Sequence, residues 1–157
     1  MDNEQENNDL LKMMVDNETA ISEIYRIYAK RYKKHQEFWN GLAREEIQHA
    51  RLIEKLSKRE DVSISKIKDR FTPEVFKISF RYLEEKREQA AKETLSFKEA
   101  LSIALDIETG MLERGYLNIF EGDSPEFQMM LETLDIETQE HCNKIRKLLA
   151  RKNWSFF

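Results

Sequence analysis

Apolar residues return every three or four positions over most of this chain, the spacing of one face of a helix. From about Asp9 to Glu37 the stripe runs through Leu11, Met14, Val15, Ile21, Ile24, Tyr25, Tyr28 and Tyr32. A second stripe, over about 37–58, carries Phe38, Trp39, Leu42, Ile47, Ile53 and Leu56. Thr72-Pro73 opens a further helix, with Thr as N-cap and Pro in the first turn. Its apolar residues are Val75, Phe76, Ile78, Phe80, Tyr82 and Leu83, and it runs into the charged "EEKREQAAKE". Ser96 and Glu99 form a capping box ahead of a helix from Phe97 to about Phe120. Gly122 ends that helix, and Ser124-Pro125 starts the last, which reaches about Lys152. The stretch "REDVSISKIKDRF" reads as a connection, and no strand pattern competes. The expected class is all-α: an antiparallel four-helix bundle with a short additional helix between helices 2 and 3. Residues 1–8 are expected to be a flexible N-terminus, 9–152 the bundle, and 153–157 an aromatic tail that folds back or joins a partner chain.

Composition agrees and removes several classes of function. The 157 residues suit one domain, and four Gly, two Pro and 36% charged residues favour helix. The 26 basic and 30 acidic residues leave a net charge of −4, so nucleic acid is not an expected partner. The cluster "KRYKK" (Lys30 to Lys34) is expected to be a solvated helix face. Cys142 is the single cysteine, which rules out an intrachain disulfide and fits a reducing compartment. No pair of C-x-x-C motifs offers a rubredoxin-type iron site. The opening "MDNEQENNDL" lacks an apolar leader core, and no apolar run is long enough for a membrane span. A cytoplasmic protein with no membrane partner is expected.

The informative residues are polar ones inside the apolar stripes. Glu18 interrupts the first stripe, Glu46 and His49 the second. Glu108 interrupts the stripe of Leu101 and Ala104, and Thr138 and His141 that of Leu131, Leu134, Ile145 and Leu148. A buried carboxylate costs several kcal/mol unless paired or bound to a metal. Three residues advance about 300° around a helix and about 4.5 Å along it, so Glu46 and His49 can grip one ion. Carboxylate and imidazole donors suit iron or manganese. Bundles that hold two irons use a Glu from each of two helices and Glu-x-x-His from each of the other two. Glu18, Glu46-x-x-His49 and Glu108 fill three of these places. In the fourth, Thr138 stands three before His141, and Glu137, four before it, is the carboxylate that could swing in. The candidate metal ligands are Glu18, Glu46, His49, Glu108, His141 and Glu137. Glu45, in the place matching Glu137, is expected to face solvent or a neighbouring helix. Thr138 is expected to bond a carbonyl one turn back. His35 is expected at the surface and Cys142 in the core. Tyr25, Tyr28 and Tyr32 are expected as core residues or as hydrogen-bond partners of carboxylates.

At these residues the chain resembles the ferritin-like superfamily, in its rubrerythrin-like branch. The matching stretches are "ETAISEIYRIYAKRYKKHQEFWNGLAREEIQHARLIEKL" from Glu18 and "EALSIALDIETGMLERGYLNIFEG" from Glu99. The resemblance implies two irons between helix pairs, with Glu18, Glu46 and Glu108 as carboxylate ligands and His49 and His141 as imidazole ligands. It implies peroxide reduction or ferrous iron oxidation, a homodimer and, without a rubredoxin domain, an external electron donor. One turn after Glu108, where rubrerythrins carry a further carboxylate, this chain has Met111. Two functions stay open at this point. One is a di-iron or single-iron oxidoreductase of peroxidase or ferroxidase type, with manganese or zinc as other candidate metals. The alternative is a ferritin-like bundle with a degenerate site, acting as a non-catalytic assembly or partner-binding module.

Overall fold

The computed structural model describes residues 2–58, 64–67, 73–92, 94–113, 120–122 and 124–151. Five α-helices account for most of them: α1 Asp2–Arg31, α2 Gln36–Ser57, α3 Pro73–Ala91, α4 Phe97–Glu113 and α5 Pro125–Leu149. They pack as a helical bundle. Helix α1 lies along α2 and, on another side, against α3; α4 lies along α5, and α2 meets α5. No helix among the described residues is long and apolar enough to cross a membrane.

The boundaries follow local chemistry where a cap exists and drift where none does. Ser96 and Glu99 form the expected reciprocal box: the Ser96 amide donates to Glu99 Oε2 at 2.8 Å, and the Glu99 amide to Ser96 Oγ at 3.2 Å. Ser124 occupies the N-cap of α5, but its hydroxyl turns to Glu126 Oε2 at 2.7 Å and does not cap the backbone. Helix α1 begins at Asp2, ahead of the expected start at Asp9, and stops at Arg31. Tyr32 leaves helical geometry at φ −97°, ψ 74°, and a 3-10 turn over Lys33–His35 leads into α2. No Gly or Pro marks this break, so the apolar spacing alone carried the expected helix through it. Thr72 and the aromatic tail lie outside the described residues.

Two expectations are corrected. The additional helix α3 is not short: its 19 residues exceed the 17 described for α4. It is tied to α1 by Arg87 and Glu23 at 2.7 Å, and Arg31 donates to the Ala91 and Lys92 carbonyls at its end. Strands are also present: β1 (Ile64–Ile67) pairs antiparallel with β2 (Phe120–Gly122). Phe120 and Gly122, expected to close helix α4, belong to this ladder. The pairing is non-local, and four residues give too little alternation to announce it.

The core draws on the expected stripes of α1, α2, α4 and α5: Trp39, Tyr25, Tyr28, Leu42, Ile53 and Leu101 are fully buried, while Val15, Tyr32, Phe38 and Ile47 are half-buried. On α3 only part of the stripe is buried. Phe76 and Leu83 point inward, while Ile78 is 61% and Phe80 38% exposed.

Candidate metal centre

Glu18, Glu46, His49, Glu108 and His141 are all buried, each on the inward stripe of its helix. Four helices contribute: α1 gives Glu18, α2 Glu46 and His49, α4 Glu108, and α5 His141. The structure gathers them into two groups, Glu18–Glu46–His49 and Glu46–Glu108–His141, with the possible ligand atoms of each within 4.8 Å of one another. Glu46 belongs to both. Its Oε2 lies 3.1 Å from His49 Nδ1, and its Oε1 lies 2.8 Å from His141 Nδ1. Glu18 Oε2 is 3.9 Å from His49 Nδ1, and Glu108 Oε1 is 3.4 Å from His141 Nδ1. The two imidazoles lie nearly parallel, with centroids 5.6 Å apart.

This donor set fits cations. Glu46 Oε1 and His141 Nδ1 are close, yet their alignment is not that of a hydrogen bond, and both buried atoms lack a hydrogen-bond partner. A buried polar atom left unsatisfied costs about 1–3 kcal/mol. A cation held by both atoms would remove that cost. Three carboxylates also offset most of the charge of two divalent ions, and the mixture of oxygen and imidazole nitrogen suits iron, manganese or zinc.

The outer nitrogens of the two rings show an arrangement missed at the sequence level. His49 Nε2 lies 2.7 Å from Glu137 Oε2, and His141 Nε2 lies 2.6 Å from Glu45 Oε2. Glu137, a candidate ligand, stands outside both buried groups and holds the imidazole of the opposite helix. Glu45 does the same in the other direction and is braced by Lys144 Nζ at 3.0 Å. The pairing crosses between α2 and α5 with twofold likeness. A carboxylate only accepts, so each Nε2 is the donor, and each Nδ1 is directed at the buried carboxylates. Outer partners of this kind orient a metal-binding histidine. A signal did exist: "EEIQH" and "ETQEH" each carry a Glu four before the His. About 400° of turn leaves that Glu some 40° off the His direction, which takes it towards the neighbouring helix.

Other expectations hold. Thr138 donates to the Leu134 carbonyl at 2.8 Å and is buried, and Cys142 is buried with its sulfur 4.0 Å from Thr109 Oγ1. Tyr25 donates to Glu108 Oε1 at 2.5 Å. Met111 packs in the core. His35 is not plain surface: it is half-buried and stacks on Phe97 with centroids 3.9 Å apart.

Charge in this cluster is tightly linked. Burial alone would lower both imidazoles. Glu18 and Glu46 outweigh it at His49, and Glu108 and Glu46 at His141, raising each to about 11. Burial works to raise Glu46, but His141 and His49 hold it well below the usual carboxylate range. Burial and the charge of Glu46 push Glu18 up to about 8, against the pull of His49, and raise Glu108 as well. Burial and Glu108 raise Tyr25 far above the ordinary phenol value, so it stays a donor.

The metal-free protein therefore stores protons that a cation must displace, and the sign of the pH dependence follows. The histidines are raised above their ordinary 6.5, so their contribution is complete below that value and fades as pH climbs towards 11. Glu18, raised from 4.5 to about 8, acts in the same direction over its own window. Thermal stability of the metal-free protein should fall between about pH 6 and pH 9, while metal binding, which releases these protons, tightens. Melting curves with chelator and with manganese across that range check this. The rise in Tm on adding metal should be larger at the alkaline end.

No family model matches the chain, and neither a curated protein nor a solved structure does.

Proposed function

We propose that this chain is a rubrerythrin-like non-haem iron protein, built as an antiparallel four-helix bundle of ferritin-like type from α1, α2, α4 and α5. In this reading Glu18, Glu46 and His49 would hold one cation, and Glu46, Glu108 and His141 the other. The observation that carries it is the division of Glu46, whose two oxygens face the Nδ1 atoms of two different histidines. Bound iron would supply the redox chemistry of peroxide reduction or ferrous iron oxidation, with electrons from an external donor. The chain's own residues do the rest. Glu45 and Glu137 fix the imidazole rings, Tyr25 orients Glu108, and burial keeps bulk water from the carboxylates. A homodimer and a cytoplasmic location belong to the same proposal. Met129 and Ile136, 66% and 58% exposed and two turns apart on α5, offer a dimer an apolar strip.

Anaerobic loading with ferrous iron, followed by desalting and metal analysis, tests the reading. About two irons per chain are expected, with absorption of an oxo-bridged pair after air exposure. About zero overturns it and leaves the non-catalytic module. A second reading is favoured by one observation: Thr138 is turned to a carbonyl, so α5 offers the Glu108 group only His141. In that reading a single cation is held by Glu18, Glu46 and His49, and about one iron per chain would select it.

A further inference from the structure

We propose that a pocket between α1 and α3, separate from the metal centre, binds a small ring compound with an amide-type edge and a phosphate, the chemistry of a mononucleotide. The cavity is about 370 Å³, lined by Met13, Asp16 and Asn17 of α1 and by Phe76, Lys77, Phe80 and Arg81 of α3. Ligand pockets typically span about 300–1,000 Å³, with apolar walls and a few convergent polar groups. None of the lining residues belongs to the two metal groups.

Three features choose the ligand. Asn17 is 1% exposed, and neither Nδ2 nor Oδ1 of its amide has a hydrogen-bond partner. An amide buried this way carries an unmet donor beside an unmet acceptor. A ring N–H next to a C=O satisfies both, whereas a fatty anion or a free phosphate satisfies only the donor. Phe76 and Phe80, one turn apart, offer aromatic walls, and Phe80 stands half open at the rim. Lys77 and Arg81, also one turn apart, are exposed and make no ion pair among the described residues, against the single acid Asp16. That excess of positive charge favours a phosphate at the mouth.

The probe is flavin mononucleotide, whose ring has the N–H and C=O edge and whose fluorescence reports binding, with riboflavin as its phosphate-free counterpart. Saturable quenching by the full chain is expected, with riboflavin about tenfold weaker. Lys77→Glu with Arg81→Glu should erase that difference. Asn17→Leu should weaken both flavins about tenfold, without lowering Tm, since a buried amide without partners is being removed. Phe80→Ala, at the rim, should also weaken both and provides a second variant should Asn17→Leu disturb folding. The proposal is overturned by an absence of saturable binding at millimolar flavin mononucleotide. It is equally overturned if Asn17→Leu folds and binds as the parent does, or if riboflavin binds as tightly as its phosphate.

Discussion

Glu46→Gln should remove metal from both groups at once, taking iron per chain from about two to about zero after anaerobic loading. No other single residue should do this. Glu18 and His49 serve only one group, and Glu108 and His141 only the other, whereas Glu46 supplies an oxygen to each. Glutamine keeps the shape and one oxygen but loses the charge, and a neutral amide does not hold two cations together. The same change should destabilise the metal-free protein. Glu46 is the carboxylate that both buried imidazoles lean on, and removing one member of a buried pair costs about 3–5 kcal/mol when the other charge is stranded. Here each ring can release its Nδ1 proton, so the loss should lie at or below the low end of that range. The pH profile separates the causes. With Glu46 gone the histidines are less strongly raised, so the decline in Tm from about pH 6 to pH 9 should flatten. Glu18→Gln should by contrast spare the Glu108–His141 group and leave about one iron per chain. Equal loss in both variants would mean that the two groups fill only together. Unchanged iron in Glu46→Gln would sink the shared-carboxylate centre.

How much of this could be read from the chain depends on the range of the interaction involved. Burial of Glu18, Glu46, His49, Glu108 and His141 was legible because helical periodicity is local: each stands where its stripe calls for an apolar residue. The Ser96–Glu99 box was legible for the same reason, since all its atoms lie within one turn. The roles of Glu45 and Glu137 were not legible. Each pairs with a histidine about ninety residues away, and a sequence fixes the face of a helix more readily than the partner it meets. The repeat of Glu four before His was visible, but it reads equally as a solvated acid. Burial of Asn17 was not legible, because one amide between Asp16 and Glu18 has no period of its own. The length of α3 was undervalued because half its surface stays exposed, which blurs the stripe. The break at Tyr32 carries no Pro or Gly that would announce it, and Gly122 in β2 reads equally well as the end of a helix, so the ladder of β1 with β2 stayed hidden.

Thr138→Glu should strengthen the Glu46–Glu108–His141 group. Thr138 stands in the same relation to His141 as Glu46 does to His49, three residues before it, and it is already buried with its hydroxyl on the Leu134 carbonyl. That hydroxyl bond needs no metal, so replacing it sacrifices one hydrogen bond of about 1 kcal/mol. A carboxylate there adds a second α5 donor to the Glu46–Glu108–His141 group and one more negative charge for the second cation. Outer partners of metal ligands already tune affinity about 10–100-fold, and a direct ligand should do at least as much for an ion held in that group. The metal-free protein should move the opposite way. A fourth acid among Glu18, Glu46 and Glu108 is a like charge in a buried place, so its proton is retained and Tm falls. Added metal should then raise Tm by more than in the parent, as expected when a ligand binds only the folded state. Calorimetric titration with manganese, beside melting curves with and without metal, reads both effects. A variant with lower metal-free Tm and a tighter site at Glu46–Glu108–His141 places residue 138 against the cations. A variant with unchanged affinity shows that the residue faces away from them.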